Sequence, residues 1–144
     1  MQAINSLSKE VQNKIQSYNE EFKDIFELFE KVVYNDDLEL FTSLVNEIED
    51  INLQNKYGWT LLHISIRRDR TDMVKLLLEK GADINKIDGV GWTPLMEAIM
   101  DEKTSLCKLL VDEGADKSIA NARGVTASML AQKFGRVSMY EYLT

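Results

Sequence analysis

The sequence predicts an all-α solenoid, a stack of short helix pairs, and three observations carry that expectation. The 144-residue chain repeats itself: "GWTLLHISI" from Gly58 aligns with "GWTPLMEAI" from Gly91, 33 residues on. "KLLLEKGADIN" from Lys75 aligns with "KLLVDEGADKS" from Lys108 at the same offset, and between Gly58–Asp83 and Gly91–Asp116 12 of 26 positions are identical. Each unit also carries its own start and stop signals for two helices, with apolar residues at helical spacing. Finally, two short helices cannot bury their apolar faces alone, so a fixed period of this size signals units stacked on one another.

The elements follow in chain order. In residues 1–21, Ile4, Leu7, Val11, Ile15 and Tyr18, continued by Phe22, form an amphipathic helical stripe. This stripe is expected to cover the open end of the stack, with "NEE" at 19–21 capping and restarting a helix before Phe22. A two-chain coiled coil is the alternative, but the stripe spans fewer than three heptads, which favours the cap. Residues 22–54 fit two helices without the Gly-x-Thr start and read as a degenerate first unit.

Two full units follow, 55–87 and 88–120. In the second, Thr93 is placed to cap a helix and Pro94 to occupy its first position, where a missing N–H costs nothing. That helix runs to about Met100, "DEKT" turns the chain, and Leu106, Leu109, Leu110 and Val111 mark a second helix ended by Gly114. Residues 121–144 make a last unit that stops after its second helix. The tips between units, such as "DGVG" at 88–91, read as hairpin-like loops.

At these residues the chain resembles ankyrin repeats, whose pattern is Gly-x-Thr-Pro-Leu-His-x-Ala, a Leu-rich second helix and Gly-Ala-Asp-x-Asn. The resemblance is strongest over 55–120, good over 121–144 and weak over 22–54. Leu61 stands where the pattern has Pro, Met96 where it has His, and Asp69 and Glu102 where it has the inter-helix Gly. The turns at Asp69 and Glu102 are therefore expected to be strained. The resemblance implies that His63 bonds to Thr60 and to loop backbone, and that the Met96 junction is looser.

Composition excludes several classes. Hydrophobic residues make up 44% and charged ones 28%, an ordinary globular balance. No window approaches a membrane span and the N-terminus has no apolar leader core, so a cytoplasmic protein with no membrane partner is expected. Cys107 is the single cysteine and His63 the single histidine, which leaves no zinc cluster; no calcium loop or phosphate-cradling motif occurs, so no cofactor or metal is expected. A nucleophile–base pair could use only His63, and Ser65 lies two positions away on the same helix, where side chains diverge. A non-enzymatic role is expected.

Net charge is −7 and uneven: residues 1–54 hold four Lys/Arg against twelve Asp/Glu, residues 55–144 thirteen against twelve. An acidic front half disfavours nucleic acid and suits a basic protein partner.

The expected function is recognition of another protein by a chain that is monomeric on its own. By resemblance, partners dock on the concave side formed by hairpin tips and first helices. The matching positions are Lys56, Tyr57, Trp59, Arg67 and Arg68, then Val90, Trp92, Met100 and Asp101, then Arg123, Val125, Lys133 and Phe134. Both tryptophans fall among them, and Trp, Tyr and Arg dominate interface hot spots. The alternative is a dedicated inhibitor, such as a bacterial toxin-immunity protein, neutralising a basic toxin through the acidic surface.

Overall fold

A computed structural model describes residues 1–144, and it contains helices and loops without a strand. The helices are α1 (Lys9–Gln16), α2 (Ile25–Tyr34), α3 (Leu38–Glu47), α4 (Leu61–Arg67), α5 (Thr71–Glu79), α6 (Pro94–Met100), α7 (Thr104–Asp112), α8 (Ala127–Lys133) and α9 (Tyr140–Leu143). Single 3-10 turns occur at Ile4–Ser6 and Val137–Met139. First helices α2, α4, α6 and α8 pack in one row and second helices form the other, with α1 against α3 at one end and α9 against α7 at the other. The expected all-α solenoid is the observed fold.

Each first helix of the full units begins at the residue its sequence marks. The hydroxyls of Thr60, Thr93 and Thr126 accept from the backbone N–H groups of His63, Met96 and Met129, and Pro94 opens α6. The second helices bury Met73, Val74 and Leu77, then Leu106, Cys107 and Leu110, each set on one helical face. One continuous core runs from Leu7 to Leu143.

A residue with positive φ joins the two helices of every unit: Asp36 (56°), Asp69 (58°), Glu102 (59°) and Gly135 (66°). Three of the four are acidic rather than glycine, so the strain expected at Asp69 and Glu102 is present and extends to Asp36. Each costs about 1 kcal/mol relative to glycine.

The loops between units are hairpin-like turns built on one device. Asn55, Asp88 and Asn121, spaced 33 apart, each use a side-chain oxygen to accept two backbone N–H groups, those of Tyr57 and Trp59, Val90 and Trp92, Arg123 and Val125. A second ladder links the loops: Asn52 accepts from the Asp83 N–H at 2.7 Å and Asn85 from the Asp116 N–H at 2.8 Å.

The N-terminal segment departs in part from expectation. Leu7, Val11 and Ile15 are buried and Ile4, Tyr18 and Phe22 pack against the same core, so the whole stripe is used within the chain. It is a 3-10 turn, a short helix capped by Ser8 and a loop, rather than one continuous helix. "NEE" does not restart a helix: Asn19 has φ 51°, which breaks the chain direction, and Asp24 caps α2 by accepting from the Glu27 N–H. Tyr18 then donates to Asp37, the cap of α3, at 2.8 Å, fastening the segment to the first helix pair.

Candidate functional site

The candidate face is built from α2, α4, α6 and the hairpin tip before α4. Between them lies an open groove of about 610 Å³ lined by Glu30, Val33, Trp59, Ile64, Arg67, Arg68, Asp101 and Lys103. Of the residues expected at a binding face, Trp59, Arg67, Arg68 and Asp101 line it. Tyr57 adjoins it, its ring 5.1 Å from that of Trp59. Helix α4 ends at Arg67, so its last turn throws two consecutive arginines onto this face.

These cations rest on aromatic rings. The Arg67 guanidinium lies 4.0 Å from the Trp59 ring centroid, Arg68 lies 4.8 Å from Tyr34, and Lys56 lies 5.1 Å from Tyr57. Further along the stack, the Lys133 ammonium lies 5.6 Å from the Phe134 ring, with Phe134 42% exposed. The second tip differs from the first. Val90 is 68% exposed, whereas Trp92 is half-buried against the core and carries no cation. Met100 and Val125 are likewise partly buried, and Arg123 is exposed without an ion pair. Thus Trp59, Arg67, Arg68 and Asp101 line one groove, Tyr57 and the Lys56 over its ring stand beside it, and Val90, Trp92, Met100 and the expected residues of 121–134 lie outside its lining.

Beneath Arg67 sits a residue the sequence reading passed over. Glu97 is buried in α6, its carboxylate 3.7 Å from Arg67 Nε. Burial first, then the neighbouring negative charge of Asp101, pushes its carboxyl up to about 8, which the attraction of Arg67 only partly offsets. Glu97 occupies the position of Ile64 and Leu130 in the flanking units, so a carboxyl replaces an aliphatic there. That mismatch in the 33-residue alignment was the available signal. Tyr34, Glu30 and Lys103 were also missed. Tyr34 and Glu30 belong to the first unit, where the pattern is weakest, and Lys103 lies just beyond the helix end.

His63 holds structure rather than chemistry. Trp92 O can only accept, so His63 Nε2–H donates to it (2.9 Å), and Nδ1 accepts from the Thr60 hydroxyl (2.8 Å) and the Thr60 N–H (3.2 Å). Burial lowers its pKa, which keeps the ring neutral. Ser65 Oγ, two residues on, is buried with no partner. Burial raises the Cys107 thiol to about 11, the chemistry of a packing residue.

With this geometry in place, comparison with known families is decisive. The model for ankyrin repeats (3 copies) matches residues 29–121 and 80–144. The chain belongs to the ankyrin-repeat family. A search of curated proteins finds no match. Ankyrin repeats generally mediate protein–protein interaction, and the groove described above lies on the first-helix side of this ankyrin stack. Its contacts between His63, Thr60 and the next loop are those the family resemblance implied. No helix is long and apolar enough to cross a membrane.

Proposed function

We propose that the chain is a non-catalytic recognition module that binds a partner protein through its concave hairpin and first-helix face. The observation that carries this reading is the ring-and-cation cluster of Tyr34, Tyr57, Trp59, Arg67 and Arg68 around one groove. Tyr34 and Tyr57 are 57% and 54% exposed, an arrangement that keeps large rings in water without burying them in the fold. Trp, Tyr and Arg anchor interfaces because they bury much area for little lost rotamer freedom.

Cross-linking tests the reading. A photoreactive side chain placed at Tyr57 should capture a specific protein of the source cell, whereas the same group at Lys108 on α7 should not. Trp59→Ala should weaken that partner's binding by more than ~1 kcal/mol while thermal unfolding remains cooperative. Capture from Lys108 alone, or unchanged affinity in folded Trp59→Ala, rejects the concave face.

A second reading has one observation behind it. The recess between the N-terminal segment and α2, about 320 Å³, is lined by Glu20, Phe22, Glu27, Glu30, Lys31 and Tyr34. Three carboxylates face one lysine, and that lysine is already paired with Glu20 at 3.0 Å. A basic partner, as an inhibitor of the immunity-protein kind would have, suits this recess. Capture from Glu27 rather than Tyr57 would favour it.

A further inference from the structure

Cations in this protein are held in two different ways, by carboxylates or by aromatic rings. Away from the groove they are neutralised by carboxylates: Lys14 by Glu39 at 3.4 Å, Arg70 by Asp36 at 3.7 Å, Lys108 by Asp112 at 2.7 Å and Arg136 by Glu102 at 3.5 Å. On the hairpin and first-helix face Lys31 pairs with Glu20 and Lys103 approaches Asp69, but three further cations are held by rings alone. Lys56, Arg68 and Lys133 each stand over an aromatic side chain, and none is among the residues that form an ion pair. A ring orders a cation through its quadrupole but carries no net charge, so the positive charge stays available to a ligand.

Arg67 belongs with this group although a carboxyl lies beside it. Its guanidinium lies 4.0 Å from the Trp59 ring centroid, and burial and the neighbouring Asp101 raise the pKa of Glu97, which weakens that carboxyl as a counter-charge. A chain of net charge −7 thus presents a locally positive, aromatic strip.

Resting on the concave-face reading, we propose that the groove takes an extended acidic segment of a partner protein. Its carboxylates would pair with Arg67, Arg68 and Lys56, and its apolar side chains would lie on Trp59, Tyr57 and Ile64. The exposed carboxylates Glu30 and Asp101 line the same groove and fit backbone N–H donors between the partner's acidic side chains. They also oppose a nucleic-acid strand, whose charge is continuous and would run directly over them. Spaced carboxylates on a peptide avoid that repulsion.

Trp59 sits under Arg67, so tryptophan fluorescence reports occupancy. The probes are a short peptide of alternating glutamate and leucine, its lysine–leucine counterpart and an oligothymidylate of similar length. The glutamate peptide should bind with an affinity that falls steeply with added salt. Joint Lys56→Ala and Arg68→Ala substitution should weaken it at least about fivefold, and Arg68→Lys should restore most of the loss. Circular dichroism confirms that each variant keeps its helices.

The proposal is overturned if no peptide binds, if the lysine–leucine peptide or the oligothymidylate binds as tightly as the glutamate peptide, or if the cation variants leave affinity unchanged. The broader reading fails separately. Should the lysine–leucine peptide bind and Trp59→Ala abolish it, the concave face stands and its acidic occupant falls. Should Trp59→Ala leave partner capture intact, the face itself falls.

Discussion

The junction between the α4 and α6 units and the junction between the α6 and α8 units pack equivalent surfaces, yet they are fastened at opposite ends. The first is pinned at its hairpin edge. His63 donates to Trp92 O, the Gly89 N–H donates to Tyr57 O at 2.9 Å, and Gln54 Nε2 donates to the carbonyls of Gly58 (2.6 Å) and Ile87 (2.9 Å). At its other edge Lys103 manages only a 4.0 Å approach to Asp69. The second junction reverses this. Met96 replaces the histidine and offers no polar atom to the loop, but Arg136 donates to Ile99 O and Met100 O, both at 3.0 Å, closing the exposed carbonyl end of α6. Arg70 makes the same contacts two units earlier, to Val33 O and Tyr34 O at 2.8 Å.

A stacked interface therefore has two ends, and one well-placed donor at either end holds it. The looseness expected from Met96 applies to the hairpin edge alone. The fully pinned hairpin edge is also the one carrying Tyr57 and Trp59, residues of the proposed binding face.

The largest effect should come from breaking the hairpin edge by steric means. A Cβ on Gly89 would stand 2.6 Å from Tyr57 O, against backbone that cannot move aside cheaply, and the reciprocal Cβ on Gly58 would collide with Gly89 N. Gly89→Ala should cost about 3 kcal/mol, read as a lower urea midpoint at constant slope. Its counterpart at the next junction is already Ala122, and Ala122→Gly should change stability by less than ~1 kcal/mol. Equal effects at the two sites would abolish the distinction between the junctions.

Breaking the turn edge comes next. Arg136→Met keeps most of the side-chain stem and removes two charge-assisted bonds to carbonyls, and it should cost about 2 kcal/mol. Lys103→Met, at the equivalent position, should cost less than ~0.5 kcal/mol, since an ion pair at that distance contributes little. Lys103→Arg should instead stabilise, by giving the first junction the contact that the second one has. A loss in Lys103→Met as large as that in Arg136→Met would refute the assignment.

How much of this was legible in the sequence depends on whether the information was periodic. The 33-residue offset predicted the helix pairs, the threonine caps and the left-handed inter-helix turns, because each recurs with the same residue type or a recognisable departure. It also brought Tyr57, Trp59, Arg67 and Arg68 to one face. What it missed either breaks the period or ends on backbone. Glu97 replaces an aliphatic at one unit only. Arg70 and Arg136 keep the spacing but reach back to carbonyls, of Val33 and Tyr34 and of Ile99 and Met100, that no side-chain pattern marks. Tyr34 stands 33 residues before Arg67, at the helix-end position that Met100 and Lys133 also hold; it escaped because residues 22–54 lack Gly-x-Thr and no binding-face positions were carried into that unit. Nor could spacing show that Trp59 carries an arginine while Trp92 carries none.

Exchange of the hairpin-edge tether should have an intermediate effect, and it should change how stability titrates. His63→Met should cost about 1 kcal/mol and Met96→His should return a similar amount, since Thr93 and Val125 O stand where Thr60 and Trp92 O do. Because burial lowers the folded-state pKa of His63, its stabilising contribution is complete above the unfolded value near 6.5 and is lost as pH falls below it. Glu97 faces Arg67 across the same junction with the opposite sign. Its folded-state pKa is raised to about 8, so stability is highest below the ordinary carboxylate range and declines as pH rises from about 4.5 to 8. Glu97→Gln should flatten that decline while leaving the acid-side loss from His63. A pH profile of Glu97→Gln that keeps the decline would place the titrating group elsewhere.

The smallest effect tests whether the first junction contains a defect that the second avoids. Ser65 and Ala98 occupy the same position in α4 and α6, and both are fully buried. The Ser65 hydroxyl has no partner, so folding removes it from water without replacing the hydrogen bond. Ser65→Ala removes that cost and adds a better helix former, and it should stabilise the protein by about 0.5 kcal/mol. Ala98→Ser should destabilise by a similar amount, through the same unmet hydroxyl. If Ser65→Ala instead destabilises, the hydroxyl has a partner in solution, and the hairpin-edge junction is better satisfied than its counterpart at every buried polar position.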